Sequence, residues 1–274
     1  MERIRAESIN RKAVTNEGVL EMWNYYHLRE YLLSLGRGKD FTESTDHYSE
    51  SLELSSIWHG TYDRLRRNAS NTQSEYVSII GVDNQARQIV LQVIPVEGED
   101  REIPSELNKE QRIKTREKGG ADVILGDIHA HPEIYEWQYG NQKGKFSHIG
   151  SFSVPDFWSI IGPSHDYLMG LVHGDENFLA FRTRESGEMD GLTYLPFFKR
   201  NRDSFIKFWY TKRGMTYLPK EKAIVRLNLQ GEKGRIDDIE LLNLNLDIAR
   251  KHHLVIYRGK ENETLRRIFP ETNV

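Results

Sequence analysis

The feature that most constrains this chain is an apolar segment that ends in two alternating histidines. Residues 121–132 read ADVILGDIHAHP, so that His129 and His131 close the apolar run just before Pro132. Side chains at positions i and i+2 of a strand point to the same side of a sheet, and the two imidazoles are therefore close enough to share one ion. A carboxylate from the next segment would complete three ligands of nitrogen and oxygen type. Three protein ligands plus a water are typical of a catalytic zinc site rather than a structural one.

The next segment offers a carboxylate, Asp156, which could be the third ligand or only part of a helix cap. After a polar, glycine-containing insert over residues 133–152, the chain reads Ser-Val-Pro-Asp from Ser153 to Asp156 and then becomes apolar. This pattern predicts a helix over 153–162, with Ser153 as the N-cap and Asp156 at the third helical position, where it resembles a capping box. Capping alone accounts for both residues. The insert has no hydrophobic period and is interpreted as a loop, either a lid over the centre or a plain surface loop.

Hydrophobic periodicity predicts alternating helices and strands over the rest of the chain. Helices are expected over 14–36, 49–68 and 105–118, and again over IDDIELLNLNLDIARK near the C-terminus. Two hairpins are expected, one from SEYVSIIGVDN and ARQIVLQVIPVEG and one from DYLMGLVHG and NFLAFRTR. The segments KAIVRLNLQG and HHLVIYRG are strand-like, and RDSFIKFWYTKRG fits a helix or a strand.

Composition excludes several classes of function. The chain has no cysteine, which excludes disulfides, cysteine-ligated zinc and a thiol nucleophile. Its formal net charge is −3, so it lacks the overall basic field that a nucleic-acid partner would require. No apolar run approaches the length of a membrane span, and the N-terminus lacks the apolar core of a signal peptide. We therefore expect no nucleic-acid or membrane partner and a cytoplasmic location.

Five residues occur in an order that resembles a known family. Glu75 opens a hairpin strand, His129 and His131 form His-x-His-Pro at a strand end, and Ser153 and Asp156 form Ser-x-x-Asp at a helix start. The series resembles the motif of the JAMM zinc metalloproteases, also called JAB or MPN-plus. SEYVSIIG and the strand pair DYLMGLVHG and NFLAFR resemble further family segments, so that the likeness covers residues 49–185. The spacer between His131 and Ser153 is longer here than in typical members.

The resemblance implies a fold and a division of the chain. The expected fold class is an α/β sandwich like that of cytidine deaminases, a mixed β-sheet flanked by helices. On this basis the chain divides into an N-terminal helical extension (1–48), a JAB/MPN-like core (49–190) and an α+β C-terminal extension (191–274) that packs on or beside the core.

The resemblance also implies a chemistry. His129, His131 and Asp156 would hold Zn²⁺, and a water would take the fourth position. Glu75 would be the catalytic base, with Glu50 and Glu53 as upstream alternatives on the second helix, and the Ser153 hydroxyl would donate to the oxyanion. The bond cleaved would be an amide, in most family members an isopeptide bond to ubiquitin or a ubiquitin-like tail.

The implied partners are a ubiquitin-like protein or its conjugates, together with activating and conjugating enzymes of the E1 and E2 type. Other hypotheses remain open at this point. The chain could be a catalytically silent scaffold subunit of the same fold, or a zinc amidase acting on another substrate. It could also be a DNA-processing relative, which the balanced charge disfavours, or an α/β domain in which the motif is a coincidence.

Overall fold

The computed structural model describes the following parts of the chain. The described residues are 22–38, 47–72, 75–94, 113, 120–132, 134–139, 142–147, 151–152, 154–161, 166–188, 215–218, 223–226 and 238–270. The predicted helix over 105–118, apart from residue 113, and the segment RDSFIKFWYTKRG lie outside them.

Thirteen strands and five helices are described. The strands are β1 (Met22–Trp23), β2 (Ser51–Leu52), β3 (Tyr76–Asp83), β4 (Gln88–Ile94), β5 (Val123–Ala130), β6 (Ile134–Tyr139), β7 (Gln142–Ser147), β8 (Leu168–His173), β9 (Glu176–Phe181), β10 (Met215–Leu218), β11 (Ala223–Arg226), β12 (Val255–Lys260) and β13 (Leu265–Phe269). The helices are α1 (Tyr25–Gly36), α2 (Ser56–Thr72), α3 (Val154–Ile161), α4 (Arg184–Glu188) and α5 (Asp238–Lys251).

Nine of the strands form one mixed sheet. Their order is β1-β2-β13-β12-β9-β8-β5-β3-β4, while β6 with β7 and β10 with β11 form two separate antiparallel pairs. Most neighbours in the sheet are antiparallel, but β5 pairs in parallel with β8 and β1 in parallel with β2. The predicted α/β class with a mixed sheet and flanking helices is therefore confirmed.

Each face of the sheet carries its own core. On one face, α1 and α2 pack against the sheet through residues such as Leu32 and Leu65. On the other face, α3 and α5 pack against it through residues such as Phe157 and Ala249. Ile128 and Ala130 of β5 pack in the core on the side of α1 and α2. Because side chains alternate along a strand, the residues next to them in β5 point to the side of α3.

The two N-terminal helices begin later than their periodicity predicted. In the first, residues 14–21 lie outside the described part and the helix starts at Tyr25, because the Asn24 side chain accepts hydrogen bonds from the backbone N–H groups of residues 26 and 27. In the second, Ser51–Leu52 is a strand and the helix starts at Ser56. Leu52 and Leu54 are buried, but from extended backbone rather than from a helix.

The two predicted hairpins are confirmed as β3–β4 and β8–β9. The insert was wrongly interpreted as a loop, since Ile134–Tyr139 and Gln142–Ser147 pair as an antiparallel hairpin. The segment assigned to the C-terminal extension contributes β12, which pairs with β9, and β13, which pairs with β2. Residues from all three predicted regions thus share one sheet.

None of the helices in the described part of the chain combines the length and the apolar character needed to cross a bilayer.

Backbone packing at Gly126 sets how closely β5 approaches β8. Gly126 lies opposite Leu168 in the parallel ladder, and a Cβ atom at this position would collide with the Leu168 carbonyl oxygen. Backbone oxygen in a ladder cannot move aside without breaking strand pairing. A glycine is therefore required three residues before His129, for steric reasons rather than conformational ones.

We expect Gly126→Ala to lower the free energy of unfolding by about 3 kcal/mol or more, since overpacking here must shift backbone rather than a side chain. Urea or thermal unfolding measures the change. Gly60→Ala is the matched control, because Gly60 is exposed within α2 and an added Cβ would meet nothing within 4 Å. The control should raise stability by roughly 0.5–1 kcal/mol through helix propensity. Equal stability of the two variants would contradict the close approach.

Candidate metal centre

Strand β5 presents the two histidines at its C-terminal end. His129 lies within the strand, and His131 follows directly after its last residue. The backbone N–H of His131 donates to the carbonyl of Val172 at 2.9 Å, so that the residue remains attached to β8. Both imidazoles are buried, and their ring centroids are 5.0 Å apart. The expectation that alternation along a strand would bring the two rings together agrees with this geometry.

Helix α3 brings Asp156 between the two imidazoles. Its Oδ1 atom lies 3.2 Å from Nε2 of His129, and its Oδ2 atom lies 3.6 Å from Nε2 of His131. His129, His131 and Asp156 each have a possible ligand atom within 4.8 Å of those of the other two residues. The two buried histidines and the half-buried Asp156 therefore form a group that could hold a metal ion, and each histidine faces the carboxylate with Nε2.

The position of α3 depends on packing from the C-terminal part of the chain. Phe152, four residues before Asp156, packs against Phe157 and Phe178 with centroid distances of 5.6 and 5.9 Å. The buried Asn245 on α5 donates from Nδ2 to the Phe152 carbonyl oxygen at 3.0 Å. The segment that leads into α3 is thus held by a hydrogen bond from nearly a hundred residues further along the chain.

Glu75 lies at the edge of the same group. It immediately precedes β3, whose first residue Tyr76 lies opposite Ala130 of β5. Its Oε1 atom is 4.0 Å from Nε2 of His131, and its side chain is 18% exposed. Glu50 and Glu53, the upstream alternatives, are exposed and precede α2 instead of lying on it. Of these three acids, the structure brings Glu75 to the histidines.

Ser153, the predicted oxyanion donor, lies outside the described residues, and so does the capping interaction expected of it. Asp156 lies in the first turn of α3. A carboxylate there interacts favourably with the positive end of the helix dipole. This local stabilisation is compatible with metal ligation, since both require the ionised form.

The electrostatics of His129 favour a positive charge at the centre. Burial disfavours the imidazolium ion and by itself lowers the pKa of His129, but the carboxylates of Asp156 and Asp127 together outweigh it and raise this pKa well above its usual value. Nε2 of His129 is buried and makes no hydrogen bond, although Asp156 is near. A buried nitrogen and a carboxylate oxygen 3.2 Å apart are placed as two ligands of one cation would be.

The donor set limits which metals fit. Two imidazole nitrogens and one carboxylate oxygen suit zinc and related transition metals, whereas calcium and magnesium prefer oxygen ligands. Three protein ligands leave a fourth tetrahedral position for water, as in catalytic zinc sites. A bound metal of this kind acts as a Lewis acid and lowers the pKa of that water.

The sequence did not reveal two residues, of which Asp127 lies beside the centre and Asn245 holds the segment before α3. Asp127 is buried and its Oδ1 atom lies 3.5 Å from Nδ1 of His129. Its position two residues before His129 on a strand was a usable signal, since the same alternation that paired the histidines also includes it. Asn245 had no such signal, because nothing in its local sequence relates it to Phe152.

Comparisons of the chain with known protein families, with curated proteins and with solved structures found no match.

We expect the native protein to bind zinc and His129→Ala to bind it more than about a hundredfold less tightly, since losing a ligand should exceed the 10–100-fold cost of losing an outer-shell partner. Competition with a chromophoric chelator measures the affinity. Zinc should also stabilise the native fold by about 4 kcal/mol at a free concentration a thousandfold above Kd.

His27→Ala provides the control for this experiment. His27 is exposed on α1, so that its removal should leave zinc affinity unchanged. Equal zinc affinity of the native protein and of His129→Ala would contradict the assignment of His129 as a ligand.

Proposed function

We propose that this chain is a zinc-dependent hydrolase of the JAMM type that cleaves an amide or isopeptide bond after the tail of a ubiquitin-like protein. One observation carries the proposal. Glu75, the histidine pair and Asp156 come from three separate stretches of the sequence, yet they meet at the C-terminal end of β5. They do so in the order of the JAMM motif, and the proposed fold is accordingly the cytidine-deaminase-like sandwich of that family.

The proposed zinc ligands are Nε2 of His129, Nε2 of His131 and a carboxylate oxygen of Asp156. A zinc ion held there would polarise the scissile carbonyl and lower the pKa of its water toward neutrality. Asp156 and the two neutral imidazoles would together supply a single negative charge. The zinc centre would therefore keep a net positive charge, which favours its role as a Lewis acid.

Glu75 would perform the proton transfers. Its carboxylate borders the centre on the side of His131, and it is not among the three ligand residues. It would accept the proton of the attacking water and later return it to the leaving amine. The Ser153 hydroxyl would donate a hydrogen bond to the oxyanion that develops on the substrate carbonyl.

The proposed substrate follows from the family resemblance and from the hairpin β6–β7. A ubiquitin-like tail is extended, and an extended peptide can add as a strand to an exposed hairpin edge. The hairpin begins three residues after His131 and ends before α3, so that it joins the two segments that bear the ligands. Cytoplasmic conjugating enzymes of the E1 and E2 type would supply the conjugates.

A metal-free scaffold subunit of the same fold is the main alternative. Such a protein has no need of two histidines and a carboxylate brought together in a buried position, and this grouping favours the hydrolase. A zinc amidase with another substrate would use the same residues, and a panel of amides distinguishes it from an enzyme for ubiquitin-like tails.

We expect Glu75→Gln to lower kcat about 10²–10⁴-fold while zinc content stays at the native level, because the amide cannot accept the proton of the water but leaves the ligands in place. A fluorogenic amide of the ubiquitin tail measures the rate, and atomic emission measures zinc.

Glu53→Gln is the matched control for the general base. Glu53 is exposed and was an alternative candidate for this role, so that its variant should keep native kcat. Loss of activity in Glu53→Gln with native activity in Glu75→Gln would reverse the assignment. Activity in the zinc-free native protein would contradict the mechanism itself.

The hairpin β6–β7 can be replaced by a short turn, because its two ends lie next to each other. Ile134 and Ser147 lie opposite each other at its base, so that an Asn-Gly turn between them can replace residues 135–146. We expect KM for a tail substrate to rise about tenfold or more, since strand addition is lost, while kcat at saturation changes little.

A short acetylated dipeptide amide serves as the control substrate for the hairpin deletion. Such a substrate is too short to pair along the hairpin, so that its kcat/KM should be the same for both proteins. An unchanged KM for the tail substrate would show that the hairpin does not bind it.

A further inference from the structure

Asp127 is a buried carboxylate that the proposed catalytic cycle does not use. It is 4% exposed and precedes His129 by two residues on β5, so that both side chains project from the same face of the strand. Its Oδ1 atom lies 3.5 Å from Nδ1 of His129. Burying a carboxylate is costly unless a donor or a positive charge compensates it. The imidazole of His129 supplies such a donor.

The surroundings of Asp127 make this contact stronger than a surface contact would be. In the ladder, Asp127 lies between Ile79 of β3 and Met169 of β8. Both apolar neighbours are buried. Electrostatic and hydrogen-bonding interactions are stronger in such a low-dielectric environment than in water. The carboxylate therefore has a strong effect on which nitrogen of His129 carries the proton.

The two ring nitrogens of His129 face two different carboxylates. Nδ1 faces Asp127, while Nε2 faces Asp156 and makes no hydrogen bond. A neutral imidazole carries one proton, on one nitrogen or the other. In the neutral ring an acceptor at Nδ1 favours the proton there, and Nε2 is then the nitrogen that is left to bind a metal beside Asp156. The ring is thus prepared to bind a metal through Nε2.

We propose that Asp127 is a positioning residue that holds His129 as the Nδ1–H tautomer, oriented to bind the metal through Nε2. This role rests on the zinc centre of the proposed function. Asp127 acts through His129 and does not contact the substrate. Outer-shell carboxylates of this kind orient a histidine and raise its basicity, and here the carboxylate comes from the same strand as the ligand that it orients.

Two variants of Asp127 test the role by zinc affinity. Asp127→Asn retains an acceptor oxygen but loses the charge, whereas Asp127→Leu removes both. We expect the zinc affinity of Asp127→Asn to be about 10-fold lower than that of the native protein, and that of Asp127→Leu to be up to about 100-fold lower. Ser78→Ala is the matched control, because Ser78 is equally buried on β3 and lies beside Ile128, which packs in the opposite core. Its zinc affinity should equal that of the native protein.

A second measurement separates orientation from a merely structural effect. Long-range proton–nitrogen NMR of the zinc-loaded native protein reports which nitrogen of His129 bears the proton. We expect zinc on Nε2 and a proton on Nδ1, and faster exchange of that proton in Asp127→Asn. A loss of stability in the metal-free variants, measured by thermal unfolding, would not by itself produce these changes.

The outcomes distinguish the two proposals. If the native protein binds zinc and both Asp127 variants bind it equally well, the role of Asp127 is wrong while the zinc centre stands. If zinc binds Nδ1 of His129 in the native protein, the role is likewise wrong. If the native protein binds no zinc, both the centre and the role are wrong.

Discussion

The parallel pairing of β5 with β8 is the constraint on which the candidate centre depends. Parallel neighbours cannot be joined by a tight turn, so the chain between them must cross a face of the sheet. Here the crossing contains the hairpin β6–β7 and then α3, and α3 carries Asp156 to the histidines at the end of β5. Gly126 permits the close approach of the two strands on which this geometry rests. The centre is therefore a consequence of the topology.

The charge balance of the centre follows from its burial. Asp156 and Asp127 lie on either side of His129, and Glu75 lies beside His131. Carboxylates gathered in a poorly solvated place repel one another and require a compensating positive charge. The carboxylates of Asp156 and Asp127 raise the pKa of His129 well above its usual value, because they favour positive charge on the ring against the effect of burial. A divalent cation at the same place would supply positive charge directly, so the electrostatics that raise this pKa also favour a metal.

The ends of the chain are part of this architecture. β12 pairs with β9, and β13 lies between β12 and the N-terminal strand β2. Asn245 on α5 holds the backbone at Phe152, just ahead of α3. The geometry of the candidate centre is thus expected to depend on residues distant in sequence from the motif, through the position of α3.

The sequence by itself determined what alternation and local signals can specify. The period of a strand placed His129 and His131 on one face, and turn residues between β-branched runs located the hairpins β3–β4 and β8–β9. Only the tertiary structure decided which distant groups meet. It selected Glu75 over Glu50 and Glu53, and it brought Asp156 between the imidazoles. The family resemblance implied these residues, but local periodicity could not, because such meetings depend on strand order and on the path of a crossover between segments far apart in the chain.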